Sequence, residues 1–145
     1  MISKHLSQTI KYILESGVDP VNQFASQAHE KWRAGWREQN GGKDVPRIKK
    51  NSDGTEGDIN QPFNKIHPDW KKENLDAGNA ALEAVKKHGD DTESAAEHVH
   101  NEWMKRNPKA EWNAAQHVPY SKLPEEEKQK DRDHVNIMKS ILKTK

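Results

Sequence analysis

Apolar residues recur at helical spacing through most of this chain, and that periodicity constrains the fold more than any other feature. In residues 2–14 they fall on one face at intervals of three and four, and Phe24, Ala28 and Trp32 continue the interval in the next segment. Residues 68–88 carry a similar helical pattern. The sequence therefore predicts a mainly α protein.

Start and stop signals divide this pattern into about five helices. Residues 1–18 are predicted to form an N-terminal helix, with Gly17 as its stop. A proline, a glycine or a capping polar residue marks each later boundary, at Asp19-Pro20, Pro68, Gly89, Asp91, Asn107-Pro108 and Pro124. The last helix is expected to turn Val135, Met138 and Leu142 inward.

Two extended connectors separate the predicted helices. Residues 40–60 are rich in Gly, Asn, Asp and Lys, which predicts a long loop with a short strand pair around residues 45–48. Residues 108–122 are predicted to be irregular or extended.

Charge and composition narrow the classes of function. The chain has 145 residues and a formal net charge of +1 at pH 7, which does not favour a nucleic-acid binder that works through a general basic surface. It has no cysteine and no apolar run of membrane-spanning length, so a cytoplasmic location without membrane contact is expected. Aliphatic residues are few, and the five tryptophans are expected to fill a thin core that a second subunit could complete.

A pattern of histidine, tryptophan, proline and aromatic residues occurs twice. His29 and His100 each precede a tryptophan by three residues, which places both rings of a pair on one helical face. Beyond a connector, each is followed by Pro, an aromatic residue, any residue, Lys and then Ile or Leu, as "PFNKI" at 62–66 and "PYSKL" at 119–123. Two copies of the same order of motifs predict an internal duplication.

The match continues into the charged helices behind these motifs. Lys71 corresponds to Lys128, and Asn74 corresponds to Asp131. We therefore expect two helix–connector–helix units, related by a pseudo-two-fold axis within one domain, with these bounds: residues 20–88 and 91–143 for the units and 19–145 for the domain.

The second unit resembles the ryanodine-receptor repeat, a module that occurs as tandem pairs in those calcium channels and alone in bacterial and viral proteins. The resemblance is carried by His100, Trp103, Arg106, Trp112, Val118, Pro119, Tyr120, Leu123, Glu127, Lys128, Asp131 and Arg132. The second unit departs from the family pattern at Glu111, where a glycine is usual, and in a shorter connector before the proline. The first unit keeps only Gly35-Trp36, Pro62 and Phe63. Since some repeats of that family bind adenine nucleotides, the resemblance implies a stand-alone module with a nucleotide ligand.

Motifs for catalysis are missing from the sequence. The stretch "HEKWR" at 29–33 begins like a zinc-protease helix but has Arg33 where the second histidine is required. There is no nucleophile elbow and no glycine-rich phosphate loop. We therefore expect no catalytic residue, no metal and no cofactor, and we interpret His29 and His100 as hydrogen-bonded structural residues.

Aromatic and basic residues close to the connectors are the candidate binding site. Aromatic faces stack on a base, and arginine or lysine neutralises phosphate. The predicted ligand-binding residues are Arg33, Trp36, Phe63, Arg106, Trp112, Tyr120 and Lys122. The expected function is a non-catalytic module that holds a nucleotide-like anion, as a sensor or a sequestering protein.

Two other functions remain open from the sequence. The first is a protein-interaction or homo-oligomerisation module without a small ligand, in which charged helices and a thin core are completed by assembly. The second is a small nucleotide hydrolase. A saturable change in tryptophan fluorescence with a nucleotide panel is expected only if a small ligand binds.

Overall fold

Four helices pack against one another in the computed structural model, which describes residues 19–143. They are α1 (Pro20–Gln39), α2 (Pro68–His88), α3 (Thr92–Arg106) and α4 (Glu125–Lys143). Helices α2 and α4 each pack against both α1 and α3, and they also pack against each other. The prediction of a mainly α protein is confirmed. The predicted N-terminal helix of residues 1–18 lies outside the described residues.

A small antiparallel hairpin lies in the connector between α1 and α2. Its strands are β1 (Ile48–Lys50) and β2 (Glu56–Asp58), and Lys49 pairs with Gly57 at the centre of the register. The predicted strand pair is therefore present, a few residues later than the sequence indicates.

The helix ends follow local capping chemistry. Asp19 Oδ1 accepts a hydrogen bond from the Val21 amide at 3.0 Å at the start of α1. Asp91 accepts one from the Ser94 amide at 3.1 Å at the start of α3. Each carboxylate satisfies an amide that has no partner within its helix. Helix α2 ends at Gly89, whose φ of 57° favours glycine.

The core of the described residues is mostly aliphatic and contains Phe24 and Tyr120 but no tryptophan, which corrects the expectation that tryptophans fill it. Its largest fully buried apolar side chains are Phe24, Val85, Val135, Met138 and Leu142. Alanines of α2 and α3 fill the spaces between them, at positions 77, 81, 84, 95 and 96. None of the five tryptophans belongs to the core.

Helices α1 and α2 meet at Gly78. A Cβ atom at this position would lie 3.1 Å from Phe24 Cδ1 and 3.1 Å from the Val21 carbonyl oxygen. A Cβ atom at Gly35, also inside a helix, would have nothing within 4 Å.

Two glycine substitutions should therefore act in opposite directions. Gly78→Leu should lower the free energy of unfolding by about 2–3 kcal/mol, because the side chain must displace α1. Gly35→Ala should raise it by about 0.5–1 kcal/mol, because alanine favours a helix interior over glycine. Urea denaturation measures both, and equal effects at the two positions would contradict a close contact at Gly78.

Candidate functional site

Two histidines join the helices to the connectors that follow them. His29 Nε2 lies 2.7 Å from the Gln61 carbonyl oxygen, and His100 Nε2 lies 2.7 Å from the Val118 carbonyl oxygen. A carbonyl only accepts, so each histidine donates through Nε2. Both carbonyls belong to the residue immediately before a proline.

Both prolines then start a short turn of the same shape. Pro62 has φ −53° and ψ 149°, and Pro119 has φ −55° and ψ 147°. The fixed φ of proline sets the direction of the aromatic residue behind it. Phe63 thereby lies 6.3 Å from the His29 ring, and Tyr120 lies 6.5 Å from the His100 ring.

Each histidine also orients a tryptophan. The His29 and Trp32 rings stack at 5.8 Å and 16°, and the His100 and Trp103 rings stack at 5.8 Å and 15°. Trp36 stacks in turn on Trp32 at 5.9 Å and 11°. Trp32 and Trp103 therefore each stack on the histidine three residues before them, in nearly the same geometry.

These indoles surround an open cleft of about 650 Å³. Helix α1 contributes Trp32, Gly35 and Trp36, and α3 and the connector after it contribute Trp103 and Trp112. Helix α4 supplies the polar side, with Glu127, Lys130, Asp131, Asp133 and His134. We call this space the tryptophan cleft.

Trp112 is the most accessible of the four indoles, with 73% of its surface exposed. It lies in a short turn, Glu111–Asn113, which the fully buried side chain of Asn113 holds in place. Asn113 Oδ1 accepts from the Ala110 amide at 2.8 Å, and Asn113 Nδ2 donates to the Pro108 carbonyl at 3.2 Å. The anchored turn thus holds Trp112 outward at the edge of the cleft.

Two polar groups of α4 line the cleft without hydrogen bonds from the described part of the chain. Burial, and next the Glu127 carboxylate, raise the pKa of Asp131 to about 7. Burial lowers the pKa of His134 to about 4, so this imidazole is neutral at physiological pH. His134 packs edge-on against Phe24 at 5.2 Å, and its Nδ1 is buried without a partner.

The charges around the cleft nearly balance. Lys31 lies 3.8 Å from Asp133, and Lys130 lies 3.2 Å from Glu127. Both lysines are more than half exposed, so their ammonium groups face the solvent side of the cleft. The interior therefore suits an uncharged group better than a bare anion.

Two of the predicted site residues, Trp36 and Trp112, line the tryptophan cleft together. Phe63 instead packs beside His29, and Lys122 is exposed at the end of its turn. Tyr120 is buried, and its hydroxyl donates to Glu93 Oε1 at 3.0 Å.

The phenol of Tyr120 and the two predicted arginines are all engaged outside the cleft. Burial and the hydrogen bond to Glu93 raise the pKa of Tyr120 to about 12. Arg33 pairs with Glu30 at 2.9 Å, and Arg106 pairs with Glu73 at 2.9 Å. Arg106 lines a second hollow of about 350 Å³, between α2 and α3.

Asp131 and His134 are among the cleft residues that the sequence did not assign to the site, as are Trp32 and Trp103. Asp131 and His134 are three positions apart on α4, and Ile137 follows after three more, so all three lie near one helical face. The signal in the sequence for Asp131 and His134 is their polar character on an otherwise apolar face of α4. The sequence alone does not show that an open space lies beside that face.

Gly35 and Arg106 lie at the same spacing behind two histidines, six residues after His29 and His100. Gly35 brings no side chain into the tryptophan cleft, whereas Arg106 reaches across to Glu73 and lines the hollow between α2 and α3. The tryptophan cleft is the larger of the two, at about 650 Å³ against about 350 Å³.

Comparison with protein-family models, curated proteins and solved structures gives no match to the chain. Among residues 19–143, no group of three or more His, Asp or Glu side chains could hold a metal ion. No helix within the same residues is long and apolar enough to cross a membrane.

Proposed function

We propose that this protein is a non-catalytic ligand-binding module whose tryptophan cleft holds a small molecule with a planar ring, of the nucleotide class. The observation that carries the proposal is the combination of four indoles around one cleft with His134 Nδ1 of α4, which is buried without a hydrogen-bond partner among residues 19–143. A volume of about 650 Å³ is in the range of small-molecule sites. Stacking on aromatic side chains contributes about 1–3 kcal/mol per base.

The charge distribution supports a complex in which the planar ring of the ligand lies inside the tryptophan cleft and its phosphates lie outside. Glu127, Asp131 and Asp133 make the interior unsuitable for phosphate groups. Lys31 and Lys130 are the cations beside the cleft, and 59% and 71% of their side chains are exposed. In the proposed complex the phosphates extend into solvent beside these lysines, and neither Arg33 nor Arg106 contacts the ligand.

The hydrogen bonds of two histidines and the pKa of a third support a non-catalytic role. His29 and His100 both donate Nε2 to backbone carbonyls, which holds these atoms in structural hydrogen bonds. His134 is a weak base in its buried position, since its pKa is lowered to about 4. A sensor or a sequestering protein needs only the binding step.

We also propose that residues 19–143 form a ryanodine-receptor-like repeat that arose by duplication. The matched histidine–carbonyl bonds, proline turns and His–Trp stacks of the two units support this. The packing is consistent with a pseudo-two-fold axis between α2 and α4, which contact each other and both remaining helices.

A protein-interaction module is the second candidate. The observation in its favour is the exposure of two large apolar side chains, Trp112 at 73% and Ile48 at 51%. This function predicts a dimer or larger assembly by light scattering and no response to small molecules.

A nucleotide panel tested with a cleft-blocking variant separates the two functions. A nucleotide should quench tryptophan fluorescence of the wild-type protein in a saturable manner. Gly35→Arg should weaken this binding about tenfold to a hundredfold, because the side chain enters the space that the ring occupies. Trp112→Ala should weaken it by a similar factor through the loss of one stacking surface.

Ala34→Arg is the matched control, because Ala34 is the exposed neighbour of Gly35 on the same helix. It should leave the affinity within about twofold of wild type. Equal losses in the two arginine variants would mean that the ligand lies elsewhere. A protein that assembles through Trp112 and responds to no nucleotide would support the interaction module instead.

A further inference from the structure

The hydrogen bond of His100 to a backbone carbonyl determines which ring nitrogen of this imidazole carries the proton. Its Nε2 carries a proton, because it donates to the Val118 carbonyl at 2.7 Å. In the neutral ring, Nδ1 then has only a lone pair. Nδ1 lies 3.7 Å from Asp131 Oδ2, so neutral His100 does not donate a hydrogen bond to that carboxyl group.

The Asp131 carboxyl group therefore faces the cleft without a hydrogen bond from His100. Its side chain is 15% exposed and has no hydrogen bond within residues 19–143. On its own helix it is flanked by Glu127, Lys130 and His134, and only the lysine favours the ionised form. From α1, Lys31 already pairs with Asp133 across the cleft.

Burial and the neighbouring Glu127 carboxylate raise the pKa of Asp131 to about 7. At neutral pH the group is thus divided between two forms with different hydrogen-bonding capacity. A carboxylate only accepts, whereas a carboxylic acid donates through one oxygen and accepts through the other.

We propose that Asp131 meets the ligand as a carboxylic acid and selects an uncharged planar ring with a hydrogen-bond acceptor beside an N–H donor, which is the edge of a cyclic amide or an amidine. The inference rests on the proposed function of the tryptophan cleft. Two parallel hydrogen bonds form between the acid and such an edge, while Trp112, the most exposed indole of the cleft, stacks on one face of the ring. Asp131 is then the residue that sets specificity.

The first unit contains a natural comparison for this group. Asn74 occupies the position that corresponds to Asp131, and its amide donates to the Trp70 carbonyl at 3.0 Å. A carboxamide has the donor and acceptor of a carboxylic acid in nearly the same shape, but it has no proton to lose. Asp131→Asn is therefore the shape-matched variant that fixes the proposed binding form at every pH.

Isothermal titration with uncharged nucleosides tests the inference between about pH 6 and pH 8.5. The probes are uridine, cytidine, adenosine and guanosine, each with a counterpart methylated on the ring edge. The wild-type affinity for the preferred nucleoside should be constant below about pH 7 and fall about tenfold per pH unit well above it. Binding at pH 8 should take up a proton, which titrations in buffers of different ionisation enthalpy detect.

Asp131→Asn should bind within about threefold of the wild-type low-pH affinity over the whole range, with no proton uptake from this group. Methylation of the ring edge should weaken binding to both proteins at least about tenfold, because it removes one of the two hydrogen bonds.

A wild-type affinity that does not change with pH would overturn the role of the acid, and so would a loss of more than about tenfold in Asp131→Asn at low pH. Either result leaves the ligand-binding function standing if Gly35→Arg still blocks the probe. If no nucleoside or nucleotide binds the wild-type protein at any pH, both the proposed function and the inference fail.

Discussion

Replacing Phe24 by alanine is expected to lower the free energy of unfolding by about 3–5 kcal/mol. Phe24 is fully buried, lies against α2 at Gly78 and packs edge-on against His134 at 5.2 Å. The smaller side chain leaves a cavity between α1, α2 and α4 that Gly78 cannot fill. Urea denaturation followed by circular dichroism measures the loss.

Phe63→Ala is the matched control, since the chain has only two phenylalanines. Phe63 is half-buried in a turn, so the same substitution should cost about 1 kcal/mol there. Similar losses at the two positions would show that Phe24 is not the central contact of the helices.

Asp131 and His134 should give the folded protein two opposite dependences of stability on pH. The pKa of Asp131 is about 7 in the folded state against 3.8 ordinarily, so the folded state holds the extra proton between these values. Its contribution is therefore complete at low pH and is lost as the pH rises from about 4 to about 7. The pKa of His134 is about 4 against 6.5, so here the unfolded state holds the extra proton, and stability is lost as the pH falls from about 6.5 to about 4.

Single substitutions should separate the two contributions. Asp131→Asn should be more stable than wild type above pH 7, by as much as about 4 kcal/mol, and its stability should rise between about pH 4 and 6.5. His134→Gln should show the reverse slope, a stability that falls as the pH rises toward about 7. Urea denaturation at several pH values gives both curves.

Glu126→Gln controls for the loss of a carboxylate from the same helix, because Glu126 is exposed and affects neither pKa, and it should leave the shape of the wild-type curve unchanged. Two variants with slopes of the same sign would contradict the opposite shifts of the two pKa values.

Helix boundaries could be predicted from the sequence because their causes are local. Asp19 and Asp91 cap amides two or three residues away, and Gly89 ends α2 through its own backbone conformation. The histidine and proline motifs were equally visible, because each joins residues at a fixed spacing. Such features need no knowledge of how the helices pack.

The roles of the arginines and tryptophans could not be predicted in this way. Arg33 and Arg106 were expected at phosphates, but the acidic partner of Arg106, Glu73, lies 33 positions away on another helix. The core is filled by aliphatic residues, alanines, Phe24 and Tyr120, and the indoles lie outside it, an outcome of packing that composition does not contain. The pKa of Asp131 is raised mainly by burial, which no spacing rule contains.

The two histidine–carbonyl bonds also bear on how the chain reaches its folded state. They join residues separated by 32 positions in the first unit and 18 in the second. Loop closure entropy grows only with the logarithm of length, so the longer loop costs about 0.5 kcal/mol more to close. The second unit is therefore favoured to close first, yet the penalty on the first is small. The connector of the first unit can accommodate inserted sequence, such as the β1–β2 hairpin, with little loss of stability.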